Sequence, residues 1–320
     1  ASLAPSPMRE AVVAAVNGVL GDHLAASGNP LAIAMAWRHG GTPLVMNREA
    51  LARAIPAAGS RILVALHGLC MHSGQWRRKG HDHAAALAAE AGFTPIYLDY
   101  NSGRHISTNG RELASQLETL VQNWPRTVEE LVILGHSMGG LLARSAVHYG
   151  VQAGHRWPAL LRRLFFLGTP HHGAPLERGG NGIDVVLGVS PYTVALASLG
   201  KIRSAGITDL RHGSLLDADW QHRDRFAPGA EDHAPVPLPA EVACYAVAAS
   251  LARANSPLRD RFVGDGLVPL PSALGRHRRP NRRLDFPVTR QAVFYGLNHL
   301  DLLDHPAVYA QLQHWFATPA

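Results

Sequence analysis

Hydrophobic residues along the chain fall into short runs bounded by turn residues, and segments with helical spacing alternate with these runs. The run Arg61–Leu66 is apolar at five consecutive positions, which is typical of a strand buried on both faces. Strands that alternate with helices at this spacing form a mainly parallel sheet with helices on both faces. The pattern therefore predicts an α/β fold.

The same reading places the other elements. Further strands are predicted at Thr94–Tyr100, Leu131–Leu134, Leu164–Leu167, Ala243–Ala249 and Val293–Tyr295. Helices are predicted at 8–26, Asp82–Ala91, Ile106–Asn123, Met138–Tyr149 and Pro306–Phe316. Leu31–Trp37 and Pro43–Met46 are predicted to form a hairpin.

The alternation of strands and helices breaks between about 171 and 240, where Gly, Pro, His and charged residues dominate. This stretch is too long for a simple connection. We interpret 171–240 as a cap or lid-like insertion within one domain that spans 1–320. Its apolar piece, Ile183–Leu199, either lines an acyl pocket or forms a small satellite core under a long loop.

A candidate nucleophile lies in Gly135-His136-Ser137-Met138-Gly139, which matches the pattern G-x-S-x-G. The motif stands between a predicted strand and a predicted helix, the context that this pattern requires. Such a tight turn exposes the Ser137 hydroxyl at the carboxyl end of the strand, and the amides at the start of the helix favour negative charge there.

A serine hydroxyl attacks only when a neighbouring base accepts its proton. Asp265 lies between two glycines after the strand Ala243–Ala249, and His299 follows the last predicted strand. The order Ser, Asp, His is the one that accompanies this serine motif, and the carboxyl ends of parallel strands converge on one crevice. Asp265 and His299 are therefore the candidate acid and base, ahead of Asp260, Asp301 and Asp304, a set of weaker acid candidates.

Acyl transfer also needs hydrogen-bond donors for the oxyanion that forms on the carbonyl. The backbone N–H of Met138, directly after the candidate nucleophile, is one candidate donor. The second is assigned to the N–H of Leu69, in the turn His67-Gly68-Leu69 that follows the strand Arg61–Leu66.

Together these motifs resemble the α/β-hydrolases of the lipase and esterase kind, including lipase-like members such as the GPI inositol-deacylase group. Five segments carry the resemblance in the family's order: Leu66-His67-Gly68-Leu69, Gly135-His136-Ser137-Met138-Gly139-Gly140, Gly168-Thr169-Pro170-His171-His172-Gly173, Gly264-Asp265-Gly266-Leu267-Val268-Pro269 and Asn298-His299-Leu300-Asp301-Leu302-Leu303. The resemblance implies an α/β-hydrolase fold with a mostly parallel eight-stranded sheet, ester hydrolysis through an acyl-enzyme, and no organic cofactor.

The expected partner is a small-molecule or lipid ester, and substrate contacts are assigned to His171, His172 and Tyr192. For the two histidines the alternative is hydrogen bonding within the loop. An acyltransferase or a thioesterase would use the same three catalytic groups, and a non-catalytic binding protein on this fold is the alternative from another class. The oligomeric state stays open.

Composition narrows the class further. The chain has 320 residues, 47% of them hydrophobic and 17% charged, which excludes a disordered protein. The two cysteines, Cys70 and Cys244, exclude a disulfide-rich scaffold. We expect no metal, because the cluster His81-Asp82-His83 lacks a second cluster at ligand spacing.

The net charge of +6 comes mainly from arginine. Six basic residues form a patch: Arg276, His277, Arg278, Arg279, Arg282 and Arg283. We expect no nucleic-acid partner, because no known nucleic-acid-binding motif is visible. Contact with a membrane surface stays open. No signal-peptide pattern is visible, so the cytoplasm is the default location, although a removed leader is left open.

Overall fold

The computed structural model describes residues 6–174, 204–221, 233–253 and 264–318. Within these ranges the chain forms one eight-stranded sheet. The strands are β1 Ala36–His39, β2 Thr42–Pro43, β3 Arg61–Leu66, β4 Thr94–Asp99, β5 Glu130–His136, β6 Leu161–Leu167, β7 Ala243–Ser250 and β8 Gln291–Tyr295. Their order across the sheet is β2-β1-β4-β3-β5-β6-β7-β8.

The strands from β3 to β8 run parallel to one another, and β1 is antiparallel to both β2 and β4. The chain moves outward from β3 to β4 and then crosses back to β5, so β3 and β5 are the adjacent strands where the direction of winding reverses. In open α/β sheets a crevice forms at the carboxyl ends of such strands. The turn after β3 and the serine after β5 both lie there.

Helices cover both faces of this sheet. The described helices are α1 Pro7–Ala26, α2 Arg48–Ala54, α3 His83–Ala91, α4 Ile106–Asn123, α5 Met138–Gln152, α6 Ala205–His212, α7 Leu270–Ala273 and α8 Pro306–Ala317. Alternate residues of β3 face opposite sides: Ile62 and Val64 pack in the cluster that holds α4 and α5, whereas Leu63 packs in the cluster that holds α3 and α8. These strand residues are fully buried, as the continuous apolar run predicts.

The expected fold class is confirmed, and the differences from the predicted elements are local. Helix α2 was not predicted, because its seven residues are too few to show a helical period. Its start is fixed by the Asn47 side chain, which accepts a hydrogen bond from the N–H of Ala50 at 2.8 Å. The predicted N-terminal hairpin forms, but its strands β1 and β2 are shorter than the apolar runs.

Part of the 171–240 insertion is described. Helix α6 packs against α1, and the Asp209 carboxylate on α6 accepts the N–H of Ile106 at 2.8 Å, at the start of α4. The N–H of Gly206 donates to the carbonyl of Gly103 at 3.0 Å, in the loop that follows β4. Tyr192 and the whole apolar piece Ile183–Leu199 lie outside the described residues.

Helix α1 lies against the turn that follows β3. A Cβ atom at Gly18 would lie 2.2 Å from the Sγ atom of Cys70, so the helix backbone approaches closer than a side chain allows. The carbonyl of Gly18 also accepts the hydroxyl of Ser204 at 2.6 Å. Helix α1 therefore connects the β3 turn with the first described residues of α6.

We predict that Gly18→Ala lowers the free energy of unfolding by about 1–3 kcal/mol through overpacking against Cys70. The change in helix propensity alone would raise the free energy of unfolding, because alanine stabilises a helix by about 1 kcal/mol relative to glycine. Urea unfolding checks the sign, with His23→Ala on the exposed side of α1 as the control. A Gly18→Ala protein more stable than the parent would contradict the close packing.

Candidate active site

Ser137 occupies a strained turn between β5 and α5. Its backbone has φ 53 and ψ −122, in a region that residues with a side chain rarely adopt. The turn is held by the N–H of Ser137, which donates to the carbonyl of Leu167 at 2.8 Å. A Cβ atom at Gly139 would lie 2.3 Å from the carbonyl oxygen of Leu66, so α5 can begin this close to β3 only with glycine there.

The turn after β3 reaches the same point. A Cβ atom at Gly68 would lie 3.0 Å from the Cβ of Ser137. Leu69 is the next residue after Gly68, so this close approach brings its backbone near the serine. Cys70 has a positive φ of 60, and its N–H donates to the Ser102 hydroxyl at 3.0 Å. Within the described residues, the N–H groups of Leu69 and Met138 donate to no other residue, so both remain available as oxyanion donors.

Asp265 and His299 are in direct contact. The Oδ2 atom of Asp265 lies 2.7 Å from Nδ1 of His299, and both side chains are buried. The other carboxylate oxygen accepts the backbone N–H groups of Leu267 at 3.0 Å and Val268 at 2.8 Å. With both oxygens occupied, the carboxylate is held in one orientation, and a proton on Nδ1 leaves Nε2 of the neutral ring as an acceptor.

The His299 ring packs on Gly168, the residue after the Leu167 carbonyl that holds Ser137. A Cβ atom at Gly168, whose φ is 59, would lie 3.0 Å from Cε1 of His299. Ser137 and His299 therefore flank the same two residues. Among the described residues, Nε2 of His299 is buried and has no hydrogen-bond partner, so the Ser137 hydroxyl is not bonded to it here.

The ring of His136, the residue before the candidate nucleophile, packs beside the ring of His299. Its ring lies 4.7 Å from the ring of His299, and its Nε2 atom contacts the carbonyl oxygen of His299 at 3.2 Å. Burial, together with the nearby His299, lowers the pKa of His136 well below its ordinary value. The His136 imidazole is therefore neutral and adds no fixed charge beside His299.

The weaker acid candidates that are described form contacts with residues other than the His299 ring. Asp301 accepts the N–H of Asn298 at 2.9 Å, and Asp304 pairs with Arg78 at 3.4 Å and Lys79 at 3.2 Å. Asp260 lies outside the described residues. Of the described acids, Asp265 is the one bonded to the His299 ring.

The contacts of the two histidines assigned to the substrate are with residues other than Ser137. The His171 ring packs edge-on against Phe166 and lies near Phe286. Its Nδ1 atom lies 3.4 Å from the Arg144 guanidinium, and the N–H of His172 donates to the Ser272 hydroxyl at 3.1 Å. Both histidines line a second pocket, on the α5 side of the sheet, which contains none of the three candidate catalytic residues. Their role as substrate contacts stays a prediction.

The expectation about metals concerned His81 and His83. Their rings contact each other at 2.8 Å, from Nε2 of His81 to Nδ1 of His83. Asp82 starts α3 by accepting the N–H of Ala85 and also accepts the hydroxyl of Tyr97. No group of three metal-ligating side chains occurs within the described ranges. In the same ranges, no helix has the length and apolar composition needed to cross a bilayer.

A mostly parallel eight-stranded sheet with helices on both faces, and a serine in a strained strand-to-helix turn, defines an α/β-hydrolase fold. The sequence model of the PGAP1-like alpha/beta domain matches residues 58–236, more than half of the chain. The chain therefore belongs to this family, which confirms the resemblance drawn from its motifs. No curated protein sequence matches the chain significantly.

Solved structures with this fold include three lipolytic proteins. Phospholipase PlaB from Legionella pneumophila is 12% identical with a TM-score of 0.52, and the match covers 81% of this chain and 60% of PlaB. Aspergillus fumigatus lipase B is 12% identical with a TM-score of 0.51, covering 87% of this chain and 59% of that one. The mature lipase BlEst2 of Bacillus licheniformis is 20% identical with a TM-score of 0.49, covering 80% and 92%. The chain thus spans about three fifths of the first two.

We predict that both cysteines are unreactive in the folded protein. Burial raises the pKa of the Cys70 thiol to about 12, and burial also raises that of Cys244 to about 12. Because the thiolate is the reactive form, Ellman's reagent at pH 8 should label neither thiol within minutes in native protein and both in urea. If native protein shows any labelling, the Cys244→Ser variant tells which of the two thiols reacts. Rapid native labelling of Cys70 would contradict its role as a packing residue.

Proposed function

We propose that the protein is a serine carboxylic-ester hydrolase that acts through an acyl-enzyme, with Ser137 as nucleophile, His299 as base and Asp265 as the acid that orients it. The observation that carries the proposal is the buried contact of 2.7 Å between Asp265 and Nδ1 of His299. It leaves Nε2 of His299 unpartnered next to the two residues that hold the serine turn.

In the first half of the reaction, Oγ of Ser137 attacks the ester carbonyl carbon. Nε2 of His299 accepts the hydroxyl proton as the Oγ–C bond forms, and the carbonyl π electrons move onto oxygen. The N–H groups of Leu69 and Met138 donate to this oxyanion. Collapse of the tetrahedral intermediate breaks the bond to the alcohol, which leaves with the proton from His299.

In the second half, water attacks the acyl-serine carbonyl while His299 accepts a proton from it. The second tetrahedral intermediate collapses, the C–Oγ bond breaks, and Ser137 recovers its proton from His299. The products are the free acid and the alcohol released earlier. Throughout both halves, two backbone N–H groups and the His299 ring hold the Asp265 carboxylate in place through hydrogen bonds.

The backbone explains why these groups would work as a unit. A donor in an oxyanion hole contributes roughly 10²–10³ in rate only when it is fixed before the reaction. The close approach of Gly68 to Ser137 and the hydrogen bond from Cys70 to Ser102 fix the Leu69 turn. The start of α5 fixes the Met138 amide.

The proposed substrate class is a small-molecule or lipid ester. The family membership and the fold shared with a phospholipase and a lipase support this choice. The pocket that would hold the acyl chain depends on the 171–240 insertion. A series of p-nitrophenyl esters of increasing chain length measures its depth, and product analysis with added alcohols distinguishes hydrolysis from acyl transfer.

We predict that a fluorophosphonate labels the protein once, at Ser137, because the reagent phosphonylates a serine that a histidine activates. Mass spectrometry of the adduct identifies the site. Ser137→Ala should remove labelling, whereas Ser145→Ala, a buried serine on the same helix, should not. Labelling that persists in Ser137→Ala would contradict the assignment of Ser137 as the nucleophile.

We predict that Ser137→Ala and His299→Ala each lower kcat by about 10⁶-fold, and Asp265→Asn by about 10⁴-fold, as in other serine triads. Asp265→Asn is less damaging because the base remains but is misoriented. His305→Ala is the control for loss of a nearby histidine. Parental kcat in Asp265→Asn would move the acid role to another residue.

A further inference from the structure

A second pocket lies on the α5 side of the sheet, apart from Ser137. It is lined by residues of five segments, including Arg144, His171, His172, Asp219, Arg282 and Arg283. Arg144 lies seven residues after Ser137 on α5, or about 10 Å along the helix. His171 lies three residues after Gly168, which contacts His299. The pocket is thus a neighbour of the candidate active site and not part of it.

The polar groups in this pocket are mostly hydrogen-bond donors. Arg144 is 5% exposed, its Nη2 donates to the carbonyl of Val236, and its Nε has no partner. Within the described residues, no carboxylate forms an ion pair with it. A guanidinium can only donate, so Nδ1 of His171 is the acceptor at 3.4 Å and the neutral ring carries its proton on Nε2. That Nε2 is also buried and unpartnered.

The charge of the pocket is positive. Three guanidinium groups line it, those of Arg144, Arg282 and Arg283. The one acid among the lining residues is Asp219. Its Oδ2 atom accepts the N–H groups of Leu215 and Leu216 at 2.8 and 2.9 Å, whereas its Oδ1 atom is buried and has no hydrogen-bond partner among the described residues. Its carboxylate also lies 3.2 Å from His233. Burial lowers the pKa of His171 well below its usual range and that of His172 to about 4, so both rings are neutral at pH 7.

This arrangement of buried donors destabilises the folded protein when no acceptor is bound. A buried guanidinium without a counter-ion and a buried N–H without an acceptor each destabilise the folded protein. A tetrahedral oxyanion meets both requirements, because it brings negative charge and several acceptor oxygens to one point. Arginine forks match phosphate geometry in particular.

We propose that this pocket binds a phosphate-type oxyanion, with Arg144 and Nε2–H of His171 as its inner donors and Arg282 and Arg283 at its rim. The proposal gives a role to part of the basic patch in the sequence. Of the six patch residues, Arg282 and Arg283 line the pocket, and Arg283 donates to the carbonyl of His277 at 2.9 Å. Two sources share this chemistry: free phosphate, and the phosphate of a phospholipid.

The test uses inorganic phosphate as the probe, titrated at constant ionic strength against the parent protein by calorimetry and by Tm. We expect saturable binding and a rise in Tm. Arg144→Gln should weaken binding about 10- to 100-fold, because hydrogen bonds to charged groups contribute about 1.5–3 kcal/mol. His171→Phe keeps the packing against Phe166 but removes the donor, and should weaken binding about 10-fold.

The matched control is Arg163→Gln. Arg163 is another buried arginine, at 7% exposure, whose guanidinium donates to the carbonyls of Phe316 and Thr318 outside the pocket. It should leave phosphate affinity unchanged. If Arg144→Gln does not fold, the exposed Arg283→Gln should still weaken binding, whereas Arg276→Gln, which does not line the pocket, should not. No saturable binding by the parent, or equal binding by Arg144→Gln, overturns the proposal.

A second arm distinguishes the sources and depends on the proposed esterase activity. If the phosphate belongs to a lipid, Arg144→Gln should raise KM for dihexanoyl phosphatidic acid but not for p-nitrophenyl butyrate. If free phosphate is the ligand, both KM values should stay unchanged while phosphate binding is lost. Failure of the esterase proposal would leave the calorimetric result intact, so the two proposals fail separately.

Discussion

The structure is organised around the backbone of Ser137, which must turn from a strand into a helix within one residue. Its φ of 53 is a conformation that costs of order 1–3 kcal/mol, and it persists only where neighbouring segments hold it in place. The Leu167 carbonyl and the contact between Gly139 and the end of β3 provide that constraint. Three adjacent parallel strands therefore have to end at the same level for one serine to be presented.

The acid and base depend on the same level of the sheet. Asp265 is fully buried, and a buried carboxylate is tolerated only when hydrogen bonds satisfy it. The amides of Leu267 and Val268 and the His299 ring meet that need. The N–H of His299 also donates to the carbonyl of Asp265 at 3.0 Å. These hydrogen bonds hold Asp265, which follows β7, against His299, which follows β8, and they do not require a substrate.

Local patterns in the sequence predicted the parallel core well, because a strand buried on both faces leaves a continuous apolar run such as Arg61–Leu66. They also indicated Ser137, Asp265 and His299, since each follows such a run. They did not reveal the pocket around Arg144, because the other residues that line it come from distant segments of the chain. Contacts between distant segments, such as that of the His136 ring with the His299 ring, have no signature along the chain.

Helix α1 precedes the region 58–236 that defines the family, yet it packs against the turn that carries Leu69. The Sγ atom of Cys70 also reaches the carbonyl of Ala15 at 3.8 Å, so opening of that turn breaks contacts with this helix. The free energy of locally opening the Leu69 turn therefore includes the loss of its contacts with α1. An acyl group that orders the Leu69 amide should slow amide hydrogen exchange in a helix that an alignment of the family domain would omit.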